Sequence, residues 1–103
     1  MFALVVRFDC RDHAAAARFD ELTAEVVHQI TENEPGTLVY ATHAVEDAPL
    51  ARVFYEVYRD RDAFAEHEAA EHVQRFHARK DPLVVDRRVE FLSPRSAKER
   101  DLP

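Results

Sequence analysis

Phe2, Leu4, Val6, Phe8 and Cys10 fall on one phase of a two-residue alternation, and Ala3, Val5, Arg7 and Asp9 on the other. Period two with β-branched and aromatic residues predicts a strand. From Ala15 the period changes. Ala15, Phe19, Leu22, Val26 and Ile30 recur at steps of three and four, with Arg18, Asp20, Glu21, Glu25 and Gln29 between them. That spacing predicts an amphipathic helix of about five turns, with Asp12 as its N-cap. Asn33-Glu34-Pro35-Gly36 ends it, because proline cannot continue a helix and glycine can take a positive φ.

Alternation returns over Thr37–Val45, with Leu38, Tyr40 and Thr42 opposite Val39, Ala41 and His43. Glu46-Asp47-Ala48-Pro49 reads as a turn, and Ala51–Arg59 as a third strand that pairs with the second as a hairpin. Asp60 caps a second helical stretch, Arg61 to about Lys80, whose apolar stripe drifts. Phe64 and His67 share one face while Val73, Phe76 and His77 share another, so a break is predicted near Ala69–Glu71. Pro82 ends the region, and Arg88–Leu92 makes a short fourth strand with Val89 and Phe91 inward. Residues 1–92 form the folded unit, and 93–103 a polar tail that should fray. The order β-α-β-β-α-β with right-handed crossovers predicts an α+β ferredoxin-like sandwich, a four-stranded antiparallel sheet with helices on one face.

The other face should read polar if it meets water, yet Ala3, Val5, Val39, Val45, Val53, Tyr55 and Val57 lie there. An apolar patch of that kind predicts a homodimer packed sheet against sheet.

Composition narrows the function. One glycine in 103 residues excludes Gly-rich phosphate loops, and one cysteine excludes disulfide frameworks and multi-Cys metal sites. A net charge of −6 argues against nucleic acid and anionic membrane as partners. No apolar run reaches the ~20 residues of a membrane span, and Met1–Cys10 reads as a strand rather than a signal peptide, so the cytoplasm is the expected location.

Six histidines are an enrichment. His13 and His28 read as surface residues. His67, His72 and His77 are spaced by five. Five residues advance roughly 500° in a helix, so no preformed three-His metal site is expected. His67 and His77 share stripes with Phe64 and Phe76. A histidine facing an apolar cavity can act as a base near neutral pH, whereas a core histidine is satisfied by a carbonyl or a tyrosine. Glu56, inside an otherwise apolar strand, needs a partner, for which Arg7, Arg88 or a dimer rim are the options. Cys10 reads as packing.

Glu34-Pro35-Gly36-Thr37-Leu38-Val39-Tyr40, Tyr55-Glu56-Val57-Tyr58-Arg59-Asp60, Ala65-Glu66-His67 and Glu71-His72-Val73-Gln74-Arg75-Phe76 together resemble the antibiotic biosynthesis monooxygenase family. The resemblance runs over nearly all of residues 1–92. It implies a ferredoxin-like homodimer with a cavity between sheet and helices. Its quinol monooxygenase-like members oxidise electron-rich phenols, naphthols or anthrones with O2, without metal or flavin, so no cofactor is expected. By position, His67 and His77 become the candidate bases. Tyr40 and Tyr58 would orient a small aromatic substrate, with His43, Phe64, His72 and Phe76 as further substrate contacts. Tyr58 stands where the family commonly has Trp. A haem-degrading branch uses an Asn on the first strand, and Phe2–Cys10 has none. The alternatives are a non-catalytic binding or stress-response dimer of the same fold, or a relative that degrades haem or a small signal molecule.

Overall fold

A computed structural model describes residues 1–98. The elements are β1 (Phe2–Cys10), α1 (His13–Asn33), β2 (Thr37–Val45), β3 (Ala48–Tyr58), α2 (Arg61–Ala69), α3 (Glu71–Lys80), a 3-10 turn (Asp81–Leu83) and β4 (Val84–Leu92). The four strands form one sheet in the order β2-β3-β1-β4, antiparallel throughout. This is the predicted ferredoxin-like architecture. No helix among the described residues is long and apolar enough to cross a membrane.

Local chemistry sets the helix ends. The carboxylates of Asp12 and Asp60 accept from the backbone N–H of Ala15 and Ala63, each at 2.8 Å. The predicted break falls at Ala70, whose extended backbone (φ −65°, ψ 138°) ends α2 and opens α3. Between helices and sheet, Phe8, Phe19, Phe54 and Phe76 interlock with ring centroids 5.0–6.4 Å apart.

Four local expectations change. Gly36 does not adopt a positive φ. A Cβ there would lie 2.8 Å from the Cβ of Ala63, so glycine is needed for the close approach of α2. The positive φ of the region belongs to Asp47 (65°), in a two-residue hairpin Glu46-Asp47, so β3 starts at Ala48 rather than Ala51. Strand β4 starts at Val84, four residues before the predicted Arg88, with a register shift opposite Asp9/Cys10 that interrupts its alternation. Phe91 has the predicted helix-side phase but is 61% exposed, because β4 is an edge strand. Residues 93–98 are exposed and carry no regular element; the rest of the predicted tail, 99–103, lies outside the described residues.

On the face away from the helices, register brings Val39, Ala41 and His43 beside Val57, Tyr55 and Val53. Toward β4 the face turns charged, with Arg7 bound to Asp9 (3.1 Å) and Arg88 to Glu90 (2.5 Å).

Candidate functional site

The helices leave a gap over the sheet, between α2, α3 and the edge strand β4. It is a cavity of about 200 Å³. Leu4, Val6 and Phe8 of β1 form its floor, with Tyr40 and Glu56 from β2 and β3. Phe64, His67, Glu68, Phe76 and His77 form the helix side, and Arg87, Val89 and Phe91 the β4 side. Phe91 stacks on Phe2 with ring centroids 5.7 Å apart.

His67 is 2% exposed and lies among the rings of Tyr58, Tyr40 and Phe64, at 5.1, 5.5 and 6.4 Å. Its Nδ1 bonds Glu34 Oε1 at 2.7 Å, and its Nε2 is 3.9 Å from Glu68 Oε1. The partner is thus a carboxylate, neither the carbonyl nor the tyrosine expected of a core histidine. The same Glu34 accepts from the Thr37 hydroxyl at 2.7 Å and bonds His72 Nε2. Burial alone would raise the Glu34 pKa, but the bonds from His67, Thr37 and His72 outweigh it and hold the group down at about 2.

His77 Nε2 lies 3.5 Å from Glu68 Oε2, while its buried Nδ1 has no partner among the described residues. The bond to His77 pulls the Glu68 pKa down against the effect of burial. Glu56 is 5% exposed and accepts from the Tyr58 hydroxyl at 2.6 Å. Burial pushes its pKa up, with that hydrogen bond opposing. Burial also raises Tyr40 and Tyr58 well above the ordinary phenol value, so both remain neutral hydroxyls.

The proposed partners of Glu56 are corrected here. Arg7 and Arg88 are neighbours in register on the far face, whereas Glu56 shares the phase of Phe54 and Tyr58 and turns toward the helices. Of the eight predicted site residues, Tyr40, Phe64, His67, Phe76 and His77 line the cavity. Tyr58 sits one layer behind, with its ring against Phe64 and His67. His72 lies beyond Glu34, in a separate pocket of about 100 Å³. His43 is on the opposite face of the sheet, its Nδ1 3.2 Å from the Val53 carbonyl. Glu34, Glu56, Glu68 and Arg87 were absent from the predicted site. Only Glu56 had a local signal, its phase with Phe54 and Tyr58.

The arrangement sets the buried His67 and Glu56 and the partly exposed His77–Glu68 pair against aromatic walls, which suits proton removal from an aromatic ligand. Residues 1–79 match the family model described as antibiotic biosynthesis monooxygenase. No curated protein matches the chain in sequence. Among solved structures, a Caulobacter crescentus protein named as a candidate antibiotic biosynthesis monooxygenase is 22% identical with a TM-score of 0.86, covering 92% of this chain and 90% of that one. A Bacteroides thetaiotaomicron protein of similar name is 19% identical at a TM-score of 0.87, covering 96% and 93%. A Mycobacterium tuberculosis protein is 25% identical at 0.84, covering 95% and 98%.

Proposed function

Because the chain belongs to the antibiotic biosynthesis monooxygenase family, we propose that it oxidises a small electron-rich aromatic, a quinol, phenol or anthrone, with O2 in the cavity beside His67. The observation that carries this reading is the convergence of His67, Glu56 and the His77–Glu68 pair on one aromatic-walled space of about 200 Å³. A cavity of ~150 Å³ already holds benzene, so one or two fused rings fit, and a larger ring system extends along the exposed Phe91 ring.

For an anthrone-like CH2, the chemistry balances without an added reductant. His67 takes a ring-activated C–H proton at the nitrogen that Glu34 leaves unengaged. The carbanion, delocalised as a phenolate-like anion, passes one electron to O2, and the radical pair joins through a new C–O bond. The returned proton gives a hydroperoxide. Loss of the second C–H proton with O–O cleavage yields C=O and water, so CH2 + O2 becomes C=O + H2O. All four electrons come from the substrate. The protein supplies orientation, proton transfer and exclusion of bulk water. Tyr40 and Glu56 present polar atoms to the ring substituents.

Oxygen uptake with a panel of hydroquinones and anthrones tests this. Uptake in the wild type that falls at least tenfold in His67→Ala supports it. No uptake across the panel, or uptake unchanged in both His67→Ala and His77→Ala, removes it in favour of a binding role.

The working unit we infer is a homodimer through the free sheet face, where Val5, Val39, Ala41, Val53 and Tyr55 remain partly exposed. Light scattering at micromolar concentration should return twice the 11.9 kDa chain mass; the single-chain mass would refute the dimer.

A further inference from the structure

We infer that Glu34 is a positioning residue for the cavity: it holds His67 with Nδ1–H toward itself and the Nε2 lone pair toward the substrate. This rests on the reading of His67 as the proton acceptor.

An ionised carboxylate only accepts, so the proton in the 2.7 Å bond sits on His67 Nδ1. In the neutral ring the bond made by one nitrogen decides which nitrogen carries the proton, and Nε2 is then left bare. A histidine side chain in water prefers the opposite tautomer, with the proton on Nε2. Without Glu34 the lone pair would therefore turn away from the cavity. Thr37 and His72 hold Glu34 itself, and its side chain is only 8% exposed. His67 alone among the described residues lines both the substrate cavity and the pocket that contains Glu34, so it is the partition between them.

The Glu-Pro-Gly turn builds this contact. Glu34 leaves the end of α1, and Gly36 lets α2 close to a distance at which even a methyl group on residue 36 would meet Ala63. His67 follows Ala63 by four residues, on the same helix face. The absence of a Cβ at Gly36 thus brings the imidazole within reach of the carboxylate.

Long-range proton–nitrogen NMR of the full chain labelled with 15N-histidine tests the tautomer near neutral pH, with His67 assigned by loss of its signals in His67→Gln. The wild type should show a protonated Nδ1 and a bare Nε2, and Glu34→Ala should move the proton to Nε2. A wild type already protonated on Nε2, or a tautomer unmoved by Glu34→Ala, overturns the inference. Should Glu34→Ala not fold, Gly36→Ala carries the test: it should shift the Nδ1–H signal, and adding Ala63→Gly should restore it. Failure of that pair to respond overturns the inference too. With any hydroquinone the protein oxidises, Glu34→Ala should lower kcat at least tenfold and leave KM within about threefold. An unchanged kcat refutes the role. If no probe is oxidised, the oxygenase reading fails and the tautomer alone decides this one.

Discussion

The Tyr58 hydroxyl donates to Glu56 Oε1 at 2.6 Å, two residues along the same strand and both sealed from solvent. A carboxylate in the middle of a central strand is costly unless hydrogen-bonded, and Tyr58 supplies that bond inside the protein. Tyr58→Phe should therefore destabilise the fold by about 1.5–3 kcal/mol, the range for a hydrogen bond to a charged group. Urea unfolding checks it. A loss below about 0.5 kcal/mol would show that Glu56 does not depend on this donor.

Glu56 also carries a pH signature. Its pKa is raised above the ordinary 4.5 by burial, so the folded state binds this proton more tightly than the unfolded chain. The stabilisation is complete below 4.5 and is lost as pH rises through the raised value. Glu56→Gln should then melt above the wild type at pH 7, with the gap closing toward pH 4. A gap of equal size at both values would contradict the assignment. Higher stability together with lower oxygen uptake would mark Glu56 as a residue kept for function.

Glu34 behaves in the opposite sense. Its pKa falls from 4.5 to about 2, so its contribution is present above 4.5 and lost as pH drops toward 2. The linked stability is on the order of 3 kcal/mol. Melting curves between pH 6 and 2 should show a steep loss in the wild type and a much flatter one in Glu34→Gln. Parallel curves would mean that the His67 and His72 bonds do not stabilise the ionised form.

Much of this was legible in the chain. The alternation of Phe2–Cys10 and the stripe from Ala15 to Ile30 gave β1 and α1 nearly to the residue. The drift between His67 and His77 located the break at Ala70, because two faces of one ideal helix could not both meet the sheet. The strand phase also carried Glu56 to the helix side, but strand edges and dimer rims are commoner places for a carboxylate, and the arginines of the far face drew the pairing wrongly. Glu34 had no local signal. Its histidine partners lie 33 and 38 residues away, and within a Glu-Pro-Gly turn it reads only as punctuation. Gly36 was recognised as necessary for the wrong reason, since contact with Ala63 is a property of the packed fold rather than of the local backbone.

Lys80 offers a test away from the site. It is 1% exposed, its Nζ bonds Asp81 at 2.7 Å, and it lies 5.1 and 5.7 Å from the ring centroids of Phe8 and Phe76. The long stem fills space beside the aromatic core, and the charge gains from the rings and from one exposed carboxylate. Lys80→Met keeps the stem and should stay within about 1 kcal/mol of the wild type. Lys80→Ala opens a hole and should cost about 2–4 kcal/mol. Equal losses in chemical denaturation would show that the charge, not the packing, is what Lys80 provides.

The cavity itself can be closed from its edge. Val89 lies on β4 beside Val6, with its side chain on the cavity wall, and among the described residues β4 has no neighbour on its outer side. Val89→Trp places an indole into a space of about 200 Å³, while the open edge allows the strand to adjust. Oxygen uptake, or binding of a hydroquinone by calorimetry, should fall at least tenfold, because a substrate displaced from His67 loses its alignment for proton transfer. Val85→Trp is the matched control: the same strand and substitution, at a site 68% exposed and outside this cavity, should leave both unchanged. Equal effects of the two variants, or none from Val89→Trp with the fold intact by circular dichroism, would move the substrate out of this cavity.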